Sequence, residues 1–137
     1  MKVLSFSLYG DNPIYTIGCI NNSILHKSIL SEWEMWVYHN DTVPTQILDE
    51  LRNNGVKLID TKDNTGHFVG SLWRFNPAAM GEVDYFISRD CDSRISERDE
   101  VSVAQWIESG KDFHIIRDHP VGHGWLMNAG MWGCRGG

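Results

Sequence analysis

The sequence predicts an α/β domain with a mostly parallel central sheet and helices on both faces. Three observations carry this. Short apolar runs alternate with segments of helical periodicity along the chain, the pattern left by parallel strands joined through crossover helices. Capping and stop residues fall at the joints. The apolar run Val83 to Ile87 leads into Asp90-Cys91-Asp92, which places carboxylates at a strand end, where open α/β sheets bind ligands.

The elements follow in order. Val3 to Leu8 is an apolar strand closed by Tyr9-Gly10-Asp11. Asn12-Pro13 reads as an N-cap with proline at the first helical position. Ile14, Ile17, Ile20, Ile24 and Leu25 then recur at helical spacing. Trp33 to Tyr38 is a second strand. Thr42-Val43-Pro44 opens a helix with Ile47, Leu48 and Leu51 on one face, and Gly55 stops it. Val56 to Asp60 is a third strand, and residues 61–70 read as a mobile loop. Ser71 caps a helix carrying Leu72, Trp73, Phe75, Ala78 and Ala79, which Pro77 kinks or shortens. After the Val83–Ile87 strand, Ser96-Glu97-Arg98-Asp99 resembles a capping box. It opens a helix that buries Val103, Trp106 and Ile107 and stops at Gly110. Phe113 to Ile116 is a fifth strand. The apolar, glycine-bounded run Trp125 to Gly133 reads as a last one.

At 137 residues the chain suits one domain with a real core. Its composition, 42% hydrophobic and 22% charged, is that of a soluble globular protein. A formal charge of −6 argues against nucleic acid as the main partner. Cys19, Cys91 and Cys134 are widely spaced and odd in number, which argues against a disulfide frame or a structural zinc site. No signal segment precedes the first strand and no apolar run approaches membrane-spanning length. The expectation is a cytoplasmic protein without a membrane-spanning segment.

Asp90 and Asp92 are the main chemical feature. Both carboxylates can turn toward one hard cation, Mn²⁺ or Mg²⁺, which prefers oxygen ligands and leaves positions for phosphate oxygens and water. An Asp-x-Asp pair alone is common in solvated loops. Here it follows an apolar strand and has Arg89 and Arg94 beside it. Arg74, between Trp73 and Phe75, is either partly buried and in need of an anion, Asp90 or a substrate phosphate, or exposed over the aromatics. In Arg117-Asp118-His119-Pro120-Val121-Gly122-His123, the histidines lack the third ligand and helical spacing that zinc would want. Asp118 could orient a substrate hydroxyl. Tyr9 ends the first strand, where a base could stack.

Three motifs together resemble those of nucleotide-sugar glycosyltransferases of the Rossmann-like GT-A fold. Ser88-Arg89-Asp90-Cys91-Asp92-Ser93 looks like their DXD motif at a strand end. Asn128-Ala129-Gly130 is similar to the Asn-Ala/Ser-Gly motif of the glycogenin-like and bacterial galactosyltransferase group. Ser71-Leu72-Trp73-Arg74-Phe75 matches the arginine-bearing helix before the DXD strand. The resemblance implies a hexosyltransferase, favouring retention of configuration, with a UDP-sugar the favoured donor and an acceptor of unknown kind. It implies nucleotide contacts at Ser7, Leu8, Tyr9 and Arg74, metal on Asp90 and Asp92, and the donor sugar beside Asp118, Asn128, Ala129 and Gly130. It gives Asp118 and Arg74 the catalytic roles. Such enzymes usually run longer past the Asn-Ala-Gly strand, where a third metal ligand and acceptor-binding segments lie. The expectation is therefore a single GT-A-like domain over residues 1–137, either truncated at its C-terminus, a compact version of the fold, or one domain of something larger. Two rival readings are a non-catalytic nucleotide-sugar-binding domain and a DxD phosphohydrolase. The second would place its nucleophilic aspartate after the first strand, not the fourth.

Overall fold

The computed structural model of the protein describes residues 1–122 and 124–136. Strands β1 (Lys2–Leu8), β2 (Glu34–His39), β3 (Lys57–Asp60), β4 (Tyr85–Ser88), β5 (Phe113–Ile115) and β6 (Trp132–Arg135) form one sheet in the order β3-β2-β1-β4-β6-β5. Helices α1 (Pro13–Leu25), α2 (Thr45–Asn53), the single turn α3 (His67–Gly70) and α4 (Glu97–Ser109) connect them, with a 3₁₀ helix at Trp73–Ala79.

The sheet is mixed, where a mostly parallel one was expected. β3, β2, β1 and β4 pair in parallel, with Ser5 opposite Ser88. β6 lies antiparallel between β4 and β5, with Ile87 opposite Gly133 and His114 opposite Gly133 on the other side. The reason is the connection from β5 to β6. Among the described residues of 116–131 there is no crossover helix, so the chain doubles back, and a strand that doubles back enters antiparallel. Of the run Trp125 to Gly133 expected as a strand, only its end lies in β6. Asn128, Ala129 and Gly130 form a turn, closed by Met131 N–H donating to the Asn128 carbonyl at 3.0 Å.

Alternation in β1 sets the two layers. Leu4, Phe6 and Leu8 join Val37, Ile87, Leu51 and Trp106 beneath α1, α2 and α4. Val3 points the other way and packs with Trp36, Tyr38, Phe86 and Cys134. That second face is covered by the 3₁₀ helix through Trp73 and Phe75, so the three longer α-helices share one face. The 3₁₀ form replaces the α-helix expected after Ser71. Pro77 cannot donate a backbone hydrogen bond and breaks an α-helical ladder. Ser71 is not the cap, because its hydroxyl donates to the Phe68 carbonyl at 2.6 Å.

Other expectations hold in detail. Asn12 caps α1 by accepting from Ile14 N–H at 3.0 Å. Ser96 and Asp99 form the capping box of α4, and Gly110 ends that helix at φ 68°, a conformation that favours glycine. The stretch 61–70 is loop only as far as Gly66. Asp63 accepts from Thr65 and from the Trp73 indole at 3.0 Å, and the Asn40 amide donates to its carbonyl.

The face of α1 that meets the protein is not the one the isoleucines outline. Ile14, Ile17 and Ile24 are exposed, while Thr16, Gly18, Cys19, Ile20, Asn22 and Ser23 are buried. Small and hydrogen-bonding side chains are needed there because the helix docks on the loop after β4. The Asn22 amide donates to Ser93 O at 2.8 Å, and its oxygen accepts from Ile95 N–H at 3.1 Å.

His114 on β5 is buried and stacks on Trp106 with ring centroids 5.2 Å apart. Burial pushes its imidazole down to about 4, Arg89 adds to this, and Asp99 opposes it. The folded-state value lies below the unfolded one, so the neutral ring favours the native state. That stability is whole above pH about 6.5 and is lost as pH falls toward about 4. Urea titrations across this window should show His114→Leu losing less stability than wild type on acidification, by on the order of 2 kcal/mol. Parallel curves for the two proteins would refute the assignment.

Candidate functional site

The C-terminal ends of β1 and β4 meet the 3₁₀ helix at one corner. The first link is Ser7, whose hydroxyl accepts from the Arg74 backbone N–H at 3.0 Å. The second is the guanidinium of Arg74, a residue only 7% exposed. Its Nη1 donates to Asp90 Oδ1 and to the Arg89 carbonyl at 3.1 Å. A buried guanidinium needs an anionic partner, and here Asp90 is one. Of the two readings of Arg74, the buried one is correct.

Asp90 is fixed from its other side too. A side chain on Gly130 would overlap Asp90 Oδ2, since the backbone of the Asn128–Gly130 turn lies against the carboxylate. Ser88 holds that turn by donating to the Ala129 carbonyl at 2.8 Å. The motif glycine is thus required by close approach, not by its dihedrals.

Ser7, Tyr9, Tyr15, Arg74, Asp90 and Asp92 line one cleft of about 410 Å³. Asp92 is exposed and Asp90 half-buried. Tyr9 stands edge-on to Trp73 at 6.0 Å. Gly70 passes so close to the Tyr9 ring that a Cβ there would lie 2.7 Å from it. Burial pushes the Tyr9 phenol above its usual value, with Tyr15 adding to this, so Tyr9 offers a neutral ring at ordinary pH. The Cys91 thiol is pushed well above its usual range by its hydrogen bond with Cys19 and by burial. A thiol of that kind is a packing group, not a nucleophile. Cys19, Cys91 and Cys134 are all free.

The arginines beside the aspartates do not line this cleft. Arg89 is buried and donates through Nε to Asp99 Oδ1 at 2.8 Å; burial lowers its pKa, while Asp99 acts the other way. Asp99 also accepts from Ser96 at the start of α4, so the pair ties β4 to that helix. Arg94 donates to the carbonyls of Gly18, Cys91 and Ser93. Both arginines shape the loop that carries the two carboxylates.

The expected nucleotide contacts separate in space. Ser7, Tyr9 and Arg74 line the cleft, but the Leu8 side chain lies in the helix-side core, 1% exposed. In a strand, successive residues face opposite ways, so Leu8 cannot share the cleft with Ser7 through its side chain. Asp118 lies across Asp90 in a second cavity, paired with Arg98 at 3.1 Å. Asn128 donates to Gly122 O at 3.4 Å. His119 Nδ1 accepts from Val121 and Gly122 N–H, closing a turn. His123 lies outside the described residues. Sequence reasoning missed Tyr15 and Ser71, which also line the cleft. A tyrosine two residues after a proline-started helix gives no signal until the helix is docked. Among the described residues, no group of three His, Cys, Asp or Glu side chains could hold a metal ion.

Neither known protein-family models nor characterised proteins match the chain by sequence. Among solved structures, it is similar to S. aureus TarS residues 1–349, with a TM-score of 0.64 and 18% identity. The match covers 93% of this chain and 39% of that one. The likeness shows a shared α/β fold. Among the described residues, no helix is long and apolar enough to cross a membrane.

The two carboxylates differ in what they hold in place. Asp90→Ala should destabilise the fold by about 1–3 kcal/mol, because the buried Arg74 loses its charged partner. Asp92→Ala, at an exposed position, should stay within about 0.5 kcal/mol of wild type. Chemical denaturation of both variants checks this, and equal effects would contradict the geometry.

Proposed function

We propose that the chain binds a nucleoside diphosphate sugar at the β1–β4 corner and transfers the sugar to an acceptor hydroxyl. The observation that carries this is the Arg74–Asp90 pair, set in a cleft that also contains Ser7, Tyr9 and Asp92. An arginine and two carboxylates around one opening suit a diphosphate held together with a cation. The glycosyltransferase-like fold supports the same reading. A UDP-sugar is the favoured donor, and Tyr9 offers a neutral ring on which the base can stack.

The donor set is compatible with Mn²⁺ or Mg²⁺ on Asp90 and Asp92, with diphosphate oxygens and water completing the shell. Asp90 shares one oxygen with Arg74, so Asp92 is the freer ligand. When bound, the cation would offset diphosphate charge and stabilise charge on the leaving nucleotide. The chain's own groups do the rest. Arg74 is held by Ser7 and Asp90, keeping its charge at the diphosphate end of the cleft without reorganisation. Tyr9 and Tyr15 shield one wall. Asp118 and the Ala129–Gly130 backbone lie across Asp90, where they can accept and orient sugar hydroxyls.

A second reading, binding without transfer, is favoured by the short ligand set among the described residues, since two carboxylates alone form an incomplete shell. Thermal-shift and turnover measurements with UDP, GDP, ADP and CMP, with and without Mn²⁺, separate the readings. The transfer reading expects a Mn²⁺-dependent shift with one nucleotide, release of that nucleotide from its sugar conjugate, and loss of both in Asp92→Ala. The loss in affinity should be about tenfold or more, roughly 1.4 kcal/mol. Binding without sugar release would leave the second reading standing. Unchanged behaviour of Asp92→Ala would remove the metal site from the proposal.

A further inference from the structure

Asp90 and Asp92 stand on one loop but are held differently. Asp90 is fixed through its side chain, by Arg74 on one oxygen and by the Gly130 backbone at the other. The exposed Asp92 carboxylate makes no hydrogen bond or ion pair among the described residues. Its position is therefore set by the backbone on either side of it. One side chain clamps that backbone. Arg94 Nη1 donates to the Cys91 carbonyl at 2.9 Å and to the Ser93 carbonyl at 2.7 Å, the residues just before and just after Asp92. The same nitrogen donates to Gly18 O on α1 at 2.9 Å.

Helix α1 supplies the other half of the clamp. About one turn beyond Gly18, the buried Asn22 donates to Ser93 O at 2.8 Å and accepts from Ile95 N–H at 3.1 Å. The fit is close, since a Cβ on Gly18 would lie 2.1 Å from the Cys91 carbonyl oxygen. The same helix brings Tyr15 to the cleft that Asp92 lines, so α1 is the reference that sets Asp92 against the opposite wall. Arg94 itself does not line that cleft; it faces the cavity on the other side of Asp90. Divalent cations such as Mg²⁺ demand near-ideal ligand placement, and groups that orient a ligand are worth about 10–100-fold in metal affinity.

We infer that Arg94 and Asn22 are positioning residues for Asp92, holding its loop on α1 so that the carboxylate is in place before a divalent cation arrives. The inference rests on the reading of a cation-held nucleoside diphosphate and deepens it. Neither side chain touches the cation or the nucleotide. Asn22, which sequence reasoning did not single out, acts entirely through the loop backbone.

Electron paramagnetic resonance of Mn²⁺ titrated into the full chain with UDP reads the cation affinity directly, without turnover. Arg94→Gln removes the shared donor, and Asn22→Leu removes the second hold. Gly18→Ala pushes on the Cys91 carbonyl while removing no polar group. Each should weaken Mn²⁺ binding by about tenfold. Val37→Ala, a core truncation in β2, should lower the melting temperature and keep the wild-type Mn²⁺ affinity, which separates positioning from general destabilisation. Arg94 is exposed, so Arg94→Gln keeps the test decisive even where Asn22→Leu does not fold. Wild-type affinity in Arg94→Gln, or an equal loss in Val37→Ala, overturns the inference. So does a loss confined to Arg94→Gln, which makes Arg94 a direct diphosphate ligand instead. In each of these cases a loss in Asp92→Ala leaves the metal reading standing. Absence of Mn²⁺ binding by wild type overturns both.

Discussion

The structure turns on one buried cation. Arg74 is almost fully enclosed beneath the sheet edge, and a guanidinium in that position is costly unless its donors are used. Asp90 and the Arg89 carbonyl take Nη1, and Ser7 takes the backbone N–H of the same residue. The three contacts join β1, the 3₁₀ helix and the loop after β4. They also decide that Asp90 points toward the cleft. A carboxylate held by Arg74 on one oxygen and lying against the Gly130 backbone at the other is a preorganised group.

Around that pair the chain uses small residues and backbone to bring elements together. Gly130 lets the turn before β6 press on Asp90, and Gly18 lets α1 press on Cys91 and Arg94. Asn22, inside α1, hydrogen-bonds the loop's backbone at Ser93 and Ile95. A helix interior asparagine costs some helix propensity. Its use here is to satisfy the Ile95 N–H, which would otherwise be buried unpaired. The same loop is tied to α4 through Arg89 and Asp99. The two aspartates therefore sit on a loop fixed from three sides, which is what a binding constellation needs.

The antiparallel β6 is part of the same design. Inserted between β4 and β5, it delivers the Asn128–Gly130 turn to the end of β4 and so places backbone, not side chain, against Asp90. The connection that makes it antiparallel also carries Asp118 to the far side of the carboxylate. One irregular stretch thus separates the cleft beside Tyr9 from a smaller cavity beside Asp118.

Local chemistry made much of this legible in the sequence. The β–α alternation, the Asn12-Pro13 start of α1, the capping box at Ser96, the stop at Gly110 and the strand leading to Asp90 are short-range features that neighbouring residues specify. The pairing of Asp90 with Arg74 was within reach, because an arginine between two aromatics asks for an anion. The remainder is long-range. The isoleucines of α1 outline a convincing helix face, yet the helix turns its small residues inward because the loop it meets has no room for larger ones. Leu8 and Ser7 are neighbours in sequence and lie on opposite sides of the sheet. The direction of β6, the contact of Gly130 with Asp90, and the Arg98–Asp118 pair arise only when strands distant in the chain become adjacent. Sequence alone determined most of the strand and helix segments and which residues carry the charge. Tertiary structure decided which charges meet, because that depends on strand order and burial, and neither is written in any local run of residues.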